Sequence, residues 1–387
     1  MGFFSGGISF TRFRVKGKNP NSFSQDHLER LQARAIGKER TANRDGIEAG
    51  WTAGGHLLDV RFNLEKNIVN DTLHFAFRLD ANKPPADLLR AYTQMEIDAA
   101  AAENPSGRPS QRQKRDARMA AMEKLNREAS DGRFLKRKAF PLLWDARSNE
   151  LLVGTTSLSV HERLAFHFEQ TFGVKIEPLT AGALAHRLAQ PRGQTRAIDD
   201  AQPTSFHKAG AGQTPAWIGD EATKDFLGNE FLLWLWHLVE NHQDVIPLQD
   251  GTEVTLMLAR TLSLECPRGQ TGKATLSADI PTRLPESKRA LQEGKMPRKC
   301  GMTLVRQDDA YELSLAAELF SVSSLKLPAM EALEERARLE ERVDQIRHFL
   351  ETLDLLFDAF GKTRCSDTWQ KETGKIRKWL KSGEGEE

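Results

Sequence analysis

The residues nearest to a catalytic signature are His161 to His167, HERLAFH. A HExxH helix would set two histidines on one face to hold zinc, with the glutamate as general base. Here the second histidine comes two residues late and leaves that face. The pair is therefore expected to be ordinary helix histidines, His161 exposed and His167 partly buried. GQTGKAT (269–275) resembles a phosphate-binding loop only weakly. It lacks the first glycine at the required distance, has Ala274 where Mg²⁺ needs a hydroxyl, and lies between strands. No GxSxG is present. Glu48, Asp59, Glu65, Asp80 and Glu96 follow no recognisable nuclease spacing, although scattered carboxylates can still share a metal. Trp234 and Trp236 are expected as core or interface aromatics. No catalytic residue, metal or cofactor is expected, and the chain reads as a non-enzyme.

Charge is the stronger chemical signal. Between Gly107 and Lys138 stand eleven Lys and Arg against four acids, a net of +7 in a chain of 387 residues carrying +1 overall. A second patch, EGKMPRK (293–299), holds Lys295, Arg298 and Lys299. A third lies near the C-terminus at Lys371, Lys375, Arg377, Lys378 and Lys381, and residues 1–44 add nine basic residues against three acids. A charge run is usually a solvated face. Several in a near-neutral chain suit a phosphate backbone, which attracts cations without sequence readout.

The composition, 39% hydrophobic and 28% charged, is that of a folded protein of two or three lobes. Cys266, Cys300 and Cys365 are too few and too far apart for a disulfide framework or a cysteine metal site, which fits a reducing, cytoplasmic setting. Arg12 and Arg14 interrupt any signal-peptide core, and no apolar run reaches the ~20 residues of a membrane span.

The elements that must carry these patches alternate between the two hydrophobic periods. Strands are expected at 7–15, 72–80 and 174–180, with a hairpin at 140–156 turning near 146–149. Helices are expected at 22–37, capped by Ser24 and stopped by Gly37, at about 86–102 after Pro84-Pro85, and at 159–173. The basic stretch from Arg108 to about Ser130 is a helix with a thin apolar edge of Ala117, Ala121, Met122, Leu125 and Ala129. Gly132 to Lys138 then leads into a buried strand at Leu142, Leu143 and Trp144. Residues 187–225 read as a linker or long loop, and 226–241 as a helix buried all round. Strands follow at 252–265 and 273–280, with a hairpin at 301–317 turning at Asp308-Asp309. From about Met330 a long helix carries Leu339, Val343, Ile346, Leu350, Leu353, Phe357 and Phe360 at spacings 4-3-4-3-4-3, a heptad seam ended by Gly361. The fold class is α+β: mixed or antiparallel sheets with packed helices in an elongated, multi-lobed chain. Its expected lobes are 1–186 and 226–387.

Taken in order, these elements resemble the recombination-associated protein RdgC family. The resemblance rests on Gly50-Trp51, on LHFAFRLD leading through prolines into a helix, and on a basic helix followed by FPLLWD. It rests further on LLVGTTSLSVHERLAFHFEQTFGVKIEPLT, on LQEGKMPRKCGMTL and on the terminal apolar helix. The chain looks like a longer, divergent member, with its extra length mainly at 187–260. Phe134 and Phe140 both compete for the family's aromatic before the Trp-Asp strand, so no gate residue is carried over. The resemblance implies a nucleoid-associated protein that binds duplex DNA regardless of sequence, as a ring-like homodimer, and restrains filaments of a RecA-type recombinase. The DNA-binding residues would be Arg112, Lys114, Arg115, Arg118, Lys124, Arg127, Lys136, Arg137, Lys138, Lys295, Arg298 and Lys299. Two other readings stay open: a scaffold dimerising through the heptad helix, and a metal-dependent nuclease with scattered carboxylates.

Overall fold

A computed structural model describes residues 2–18, 20–38, 46–105, 107–207, 214–267 and 272–381. Among them lie thirteen strands and eleven α-helices. In chain order these are β1 (Ile8–Val15), α1 (Gln25–Ala33), β2 (Ile47–Thr52), α2 (Leu64–Asn67), β3 (Ile68–Val69), β4 (Thr72–Asn82), α3 (Ala86–Ala102), α4 (Gln111–Ala129), β5 (Leu135–Asp145), β6 (Glu150–Val153), α5 (Leu158–Phe172) and β7 (Ile176–Pro178). They continue with α6 (Ala181–Ala189), α7 (Thr195–Asp199), α8 (Phe226–Glu240), β8 (Val245–Pro247), β9 (Glu253–Glu265), β10 (Lys273–Ala278), α9 (Pro285–Gln292), β11 (Met296–Arg306), β12 (Asp309–Ala316), β13 (Val322–Lys326), α10 (Glu335–Arg364) and α11 (Trp369–Lys381). The expected α+β class with packed helices and a long C-terminal helix is what the chain forms.

The chain divides into two units. The larger comprises residues 1–23, 65–74 and 142–387, and the smaller 24–64 and 75–141. This differs from lobes separated at 187–225. Gln, Gly and Pro made that segment look like a linker. Instead the end of α6 and all of α7 lie in it, and Ala189, Ile198, Ala201 and Phe206 are buried in the larger unit's core.

In the larger unit the pairing is antiparallel and runs β10-β9-β11-β12-β13-β1-β6-β5, with β7 beside β1 and β8 beside β9. The β11–β12 hairpin turns at Gln307 and Asp308, one residue before the expected position, because those two take the left-handed conformation (φ 50° and 74°). Burying Phe226 through Leu238 makes α8 the centre of this core. Its packing depends on Gly228. A Cβ there would lie 1.9 Å from the Ala317 carbonyl oxygen and 3.0 Å from the Ala181 Cβ. Gly228→Ala is therefore expected to cost about 3 kcal/mol, read as a lowered urea midpoint without change in slope.

α10 differs from the expected helix in two ways. It starts at Glu335 and passes through Gly361 to Arg364. Its seam is also not free. Val343 is buried, and Ile346, Leu353, Phe357 and Phe360 are buried together with Phe349 and Leu356 in the same core as α6 and α8. Leu339 and Leu350 are half-buried. The heptad pattern was real, but its apolar stripe packs within its own unit.

In the smaller unit β2 pairs antiparallel with β4, placing Trp51 opposite Phe77. Trp51 lies edge-on to Phe75 with ring centroids 5.2 Å apart. Strand alternation had put Phe75 and Phe77 on one face and Ala76 and Arg78 on the other; all four are buried, so both faces of β4 are covered. α3 and α4 pack as a helical hairpin. Here α4 buries only Ala117, Ala121, Leu125 and Ala129.

Candidate nucleic-acid interface

Ser110 starts the basic helix. Its Oγ accepts from the Gln113 N–H at 3.2 Å, and the Gln113 Oε1 accepts from the Ser110 N–H at 2.8 Å, a reciprocal cap. The buried alanines at every fourth position let α3 approach closely, and they leave the rest of α4 in water. The Tyr92 hydroxyl on α3 donates to Glu128 at 2.8 Å, and Lys124 Nζ lies 4.4 Å above the Tyr92 ring. At the base of the hairpin Asn82 Nδ2 donates to the Ala129 carbonyl at 2.7 Å.

Arg112, Lys114, Arg115, Arg118, Lys124, Arg127, Lys136, Arg137 and Lys138 are all exposed, and all belong to the smaller unit. The segment's acids are mostly taken up locally. Asp131 pairs with Arg133 at 2.6 Å, and the hydrogen bonds from Arg133 hold its carboxyl below the ordinary range. Glu128 serves Tyr92 and lies 3.7 Å from Arg133, and Asp116 lies 3.8 Å from Arg112. Arg137 stands 3.5 Å from Asp80, a carboxylate already held by Arg78. Lys114, Arg115, Arg118, Arg127, Lys136 and Lys138 make no ion pair among the described residues. Exposed cations of this kind meet a polyanion without first breaking a salt bridge.

The patch at 293–299 lies in the larger unit and differs in character. The Arg298 guanidinium donates to Glu318 at 2.9 Å and to Glu265 at 2.8 Å, and sits 4.7 Å over the Trp217 ring. Burial would lower its pKa, but the two carboxylates outweigh that and raise it. Lys295 lies 3.5 Å from Glu293 with its side chain mostly covered. Lys299 is half-buried and makes no ion pair among the described residues. Arg298 thus serves the fold, and only Lys299 of this patch keeps an uncommitted charge.

The C-terminal cluster belongs to α11, a helix absent from the expected elements. Trp369, Thr373, Ile376 and Leu380 are buried at spacings 4-3-4, a signal that the density of lysines concealed. Arg377 donates to the Ser205 carbonyl and Lys375 pairs with Glu372. The histidines of HERLAFH are both buried, against an expected exposed His161. His161 Nε2 lies 2.9 Å from the Thr155 carbonyl, and its ring stands edge-on to Phe13. Of the GQTGKAT stretch, 269–271 lie outside the described residues, while Lys273 and Ala274 are in β10. Among the described residues no three His, Cys, Asp or Glu side chains come together as a metal site, and no helix is long and apolar enough to cross a membrane.

One charged constellation was not foreseen. In a cleft of about 830 Å³ in the larger unit, Arg12 of β1, Glu150 of β6, Arg187 of α6 and Asp354 of α10 form a closed ring of ion pairs. Arg12 is fully buried and binds Glu150 at 2.9 and 3.0 Å and Asp354 at 2.5 and 2.9 Å. Burial alone would raise the Glu150 carboxyl, but Arg12 and Arg187 outweigh it and hold it at about 2. The partners are 138 and 342 residues from Arg12 in sequence, beyond any local pattern. With every charge opposed by another, the ring joins four elements and draws no ligand by net charge.

Compared with known proteins, the chain matches no family model. It matches no curated protein either.

Proposed function

We propose that this chain binds double-stranded DNA without regard to sequence, through the exposed basic residues of α4 and the start of β5. One observation carries the reading: six exposed cations of one unit, Lys114, Arg115, Arg118, Arg127, Lys136 and Lys138, have no acidic partner among the described residues. Such a surface gains its affinity by releasing counterions from phosphates. The resemblance to the RdgC family supports the same ligand, and from it alone come the ring-like homodimer, the recombinase partner and the nucleoid setting. The scaffold reading loses ground because the apolar seam of α10 is occupied within its own unit.

Binding of a random-sequence duplex, followed by fluorescence anisotropy between about 50 and 200 mM salt, tests the proposal. Six phosphate contacts should lower affinity by roughly a thousandfold over that interval, equally for unrelated sequences. A flat salt response would refute it. Incubation of labelled duplex with Mg²⁺ or Mn²⁺ addresses the nuclease alternative, which requires cleavage by the purified chain.

A further inference from the structure

The outward face of α4 is not purely cationic. Met119 is 59% exposed and Met122 43% exposed, both large for methionines on a folded helix. At 3.6 residues per turn, Arg112, Arg115, Met119 and Met122 fall within an arc of about 80°. Arg118 borders that arc on one side. Asp116 and Glu123 border it on the other. Met119 lies about 120° around the helix from Leu125 of the buried stripe and Met122 about 60°, and neither methionine is buried. Two flexible apolar side chains are thus displayed beside Arg115 and Arg118, which make no ion pair among the described residues.

We propose that Met119 and Met122 form an apolar wedge that lodges against the bases of bound duplex, while the neighbouring arginines hold the flanking phosphates. The inference rests on the DNA-binding reading above. Charge complementarity fixes the occupant: arginines without acidic partners select a polyanion, and the apolar parts of a duplex are its base faces and groove floors. The dimensions agree. Arg115 to Met122 spans seven residues, about 10 Å along the helix, or roughly three base-pair steps. Apolar side chains inserted between base steps unstack them and bend the duplex.

The two components separate by their salt dependence. Met119→Ser with Met122→Ser should weaken duplex binding by about tenfold at every salt concentration and leave the slope of log K against log salt unchanged. The same variant should reduce bending of a duplex labelled at both ends, read by energy transfer. Met95→Ser, which removes an equally exposed methionine of α3, should change neither. Circular dichroism of all variants should match the parent, because none of the three side chains is buried. Unaltered affinity and bending in the double variant, or an equal loss from Met95→Ser, would overturn the wedge while leaving DNA binding standing. Absence of salt-dependent binding by the parent chain would instead refute the DNA-binding reading, and the wedge with it.

Discussion

Replacing Arg115, Arg118 and Arg127 together by Gln is expected to flatten the salt dependence of duplex binding by about 2.7 in log–log slope. At about 50 mM salt the affinity should fall roughly a thousandfold, the largest effect on function accessible by three substitutions. The magnitude follows from each exposed guanidinium displacing about one condensed counterion. None of the three makes an ion pair among the described residues, so their loss orphans no carboxylate. Glutamine nearly equals arginine in helix propensity, so α4 should survive. An unchanged slope would remove α4 from the interface. Arg298→Gln gives the opposite pattern. It deprives Glu265 and Glu318 of their partner and uncovers Trp217, so the midpoint of thermal unfolding should drop while the salt slope holds.

Arg12→Leu is expected to have the largest effect on stability, about 3–5 kcal/mol at neutral pH. It leaves Glu150 buried with Arg187 as its remaining guanidinium, and it breaks the link between β1 and α10. The pH dependence identifies the cause. The native Glu150 carboxyl is held at about 2, against an ordinary value of 4.5. Between these values the unfolded chain binds the proton that the native chain does not, so this stabilisation is complete above pH 4.5 and disappears as pH falls towards 2. The Arg12→Leu variant has lost most of the depression. Its deficit should therefore narrow in acid, in urea unfolding at about pH 7 and about pH 3. The double variant with Glu150→Leu should recover part of the loss, because the uncompensated buried charge is gone. An equal deficit at both pH values would point to lost packing instead of lost charge.

Much of this protein can be read directly along the chain. Ser110 and Gln113 cap α4 within four residues, the Ala146–Asn149 turn joins β5 to β6, and Gly173 closes α5 in the left-handed conformation. Such signals are local: a cap, a turn or a period needs only its neighbours. The thin apolar edge read at Ala117, Ala121, Met122, Leu125 and Ala129, of which only Met122 is exposed, likewise implied a thinly packed helix with its basic residues in water, and so marked the main candidate surface. The sequence alone thus determined the fold class, the placement of the basic helix and many of the longer elements, but not α11.

Other decisions needed distant residues. A heptad seam states that one face of α10 must be covered, but not by what, and its cover proved to be its own unit's helices and sheet. Arg298 and Arg115 are the same residue type in equally basic stretches. Only the approach of Glu265, Glu318 and Trp217 commits the first to the fold, while the absence of any such approach among the described residues leaves the second facing solvent. The ring around Arg12 joins positions hundreds of residues apart, and Ala189, Ile198, Ala201 and Phe206 owe their place to the core in which they are buried. Periodicity and composition record what each segment can bury or expose. Which charge is neutralised, and which apolar face is covered, is settled by contacts that exist only once the chain has folded.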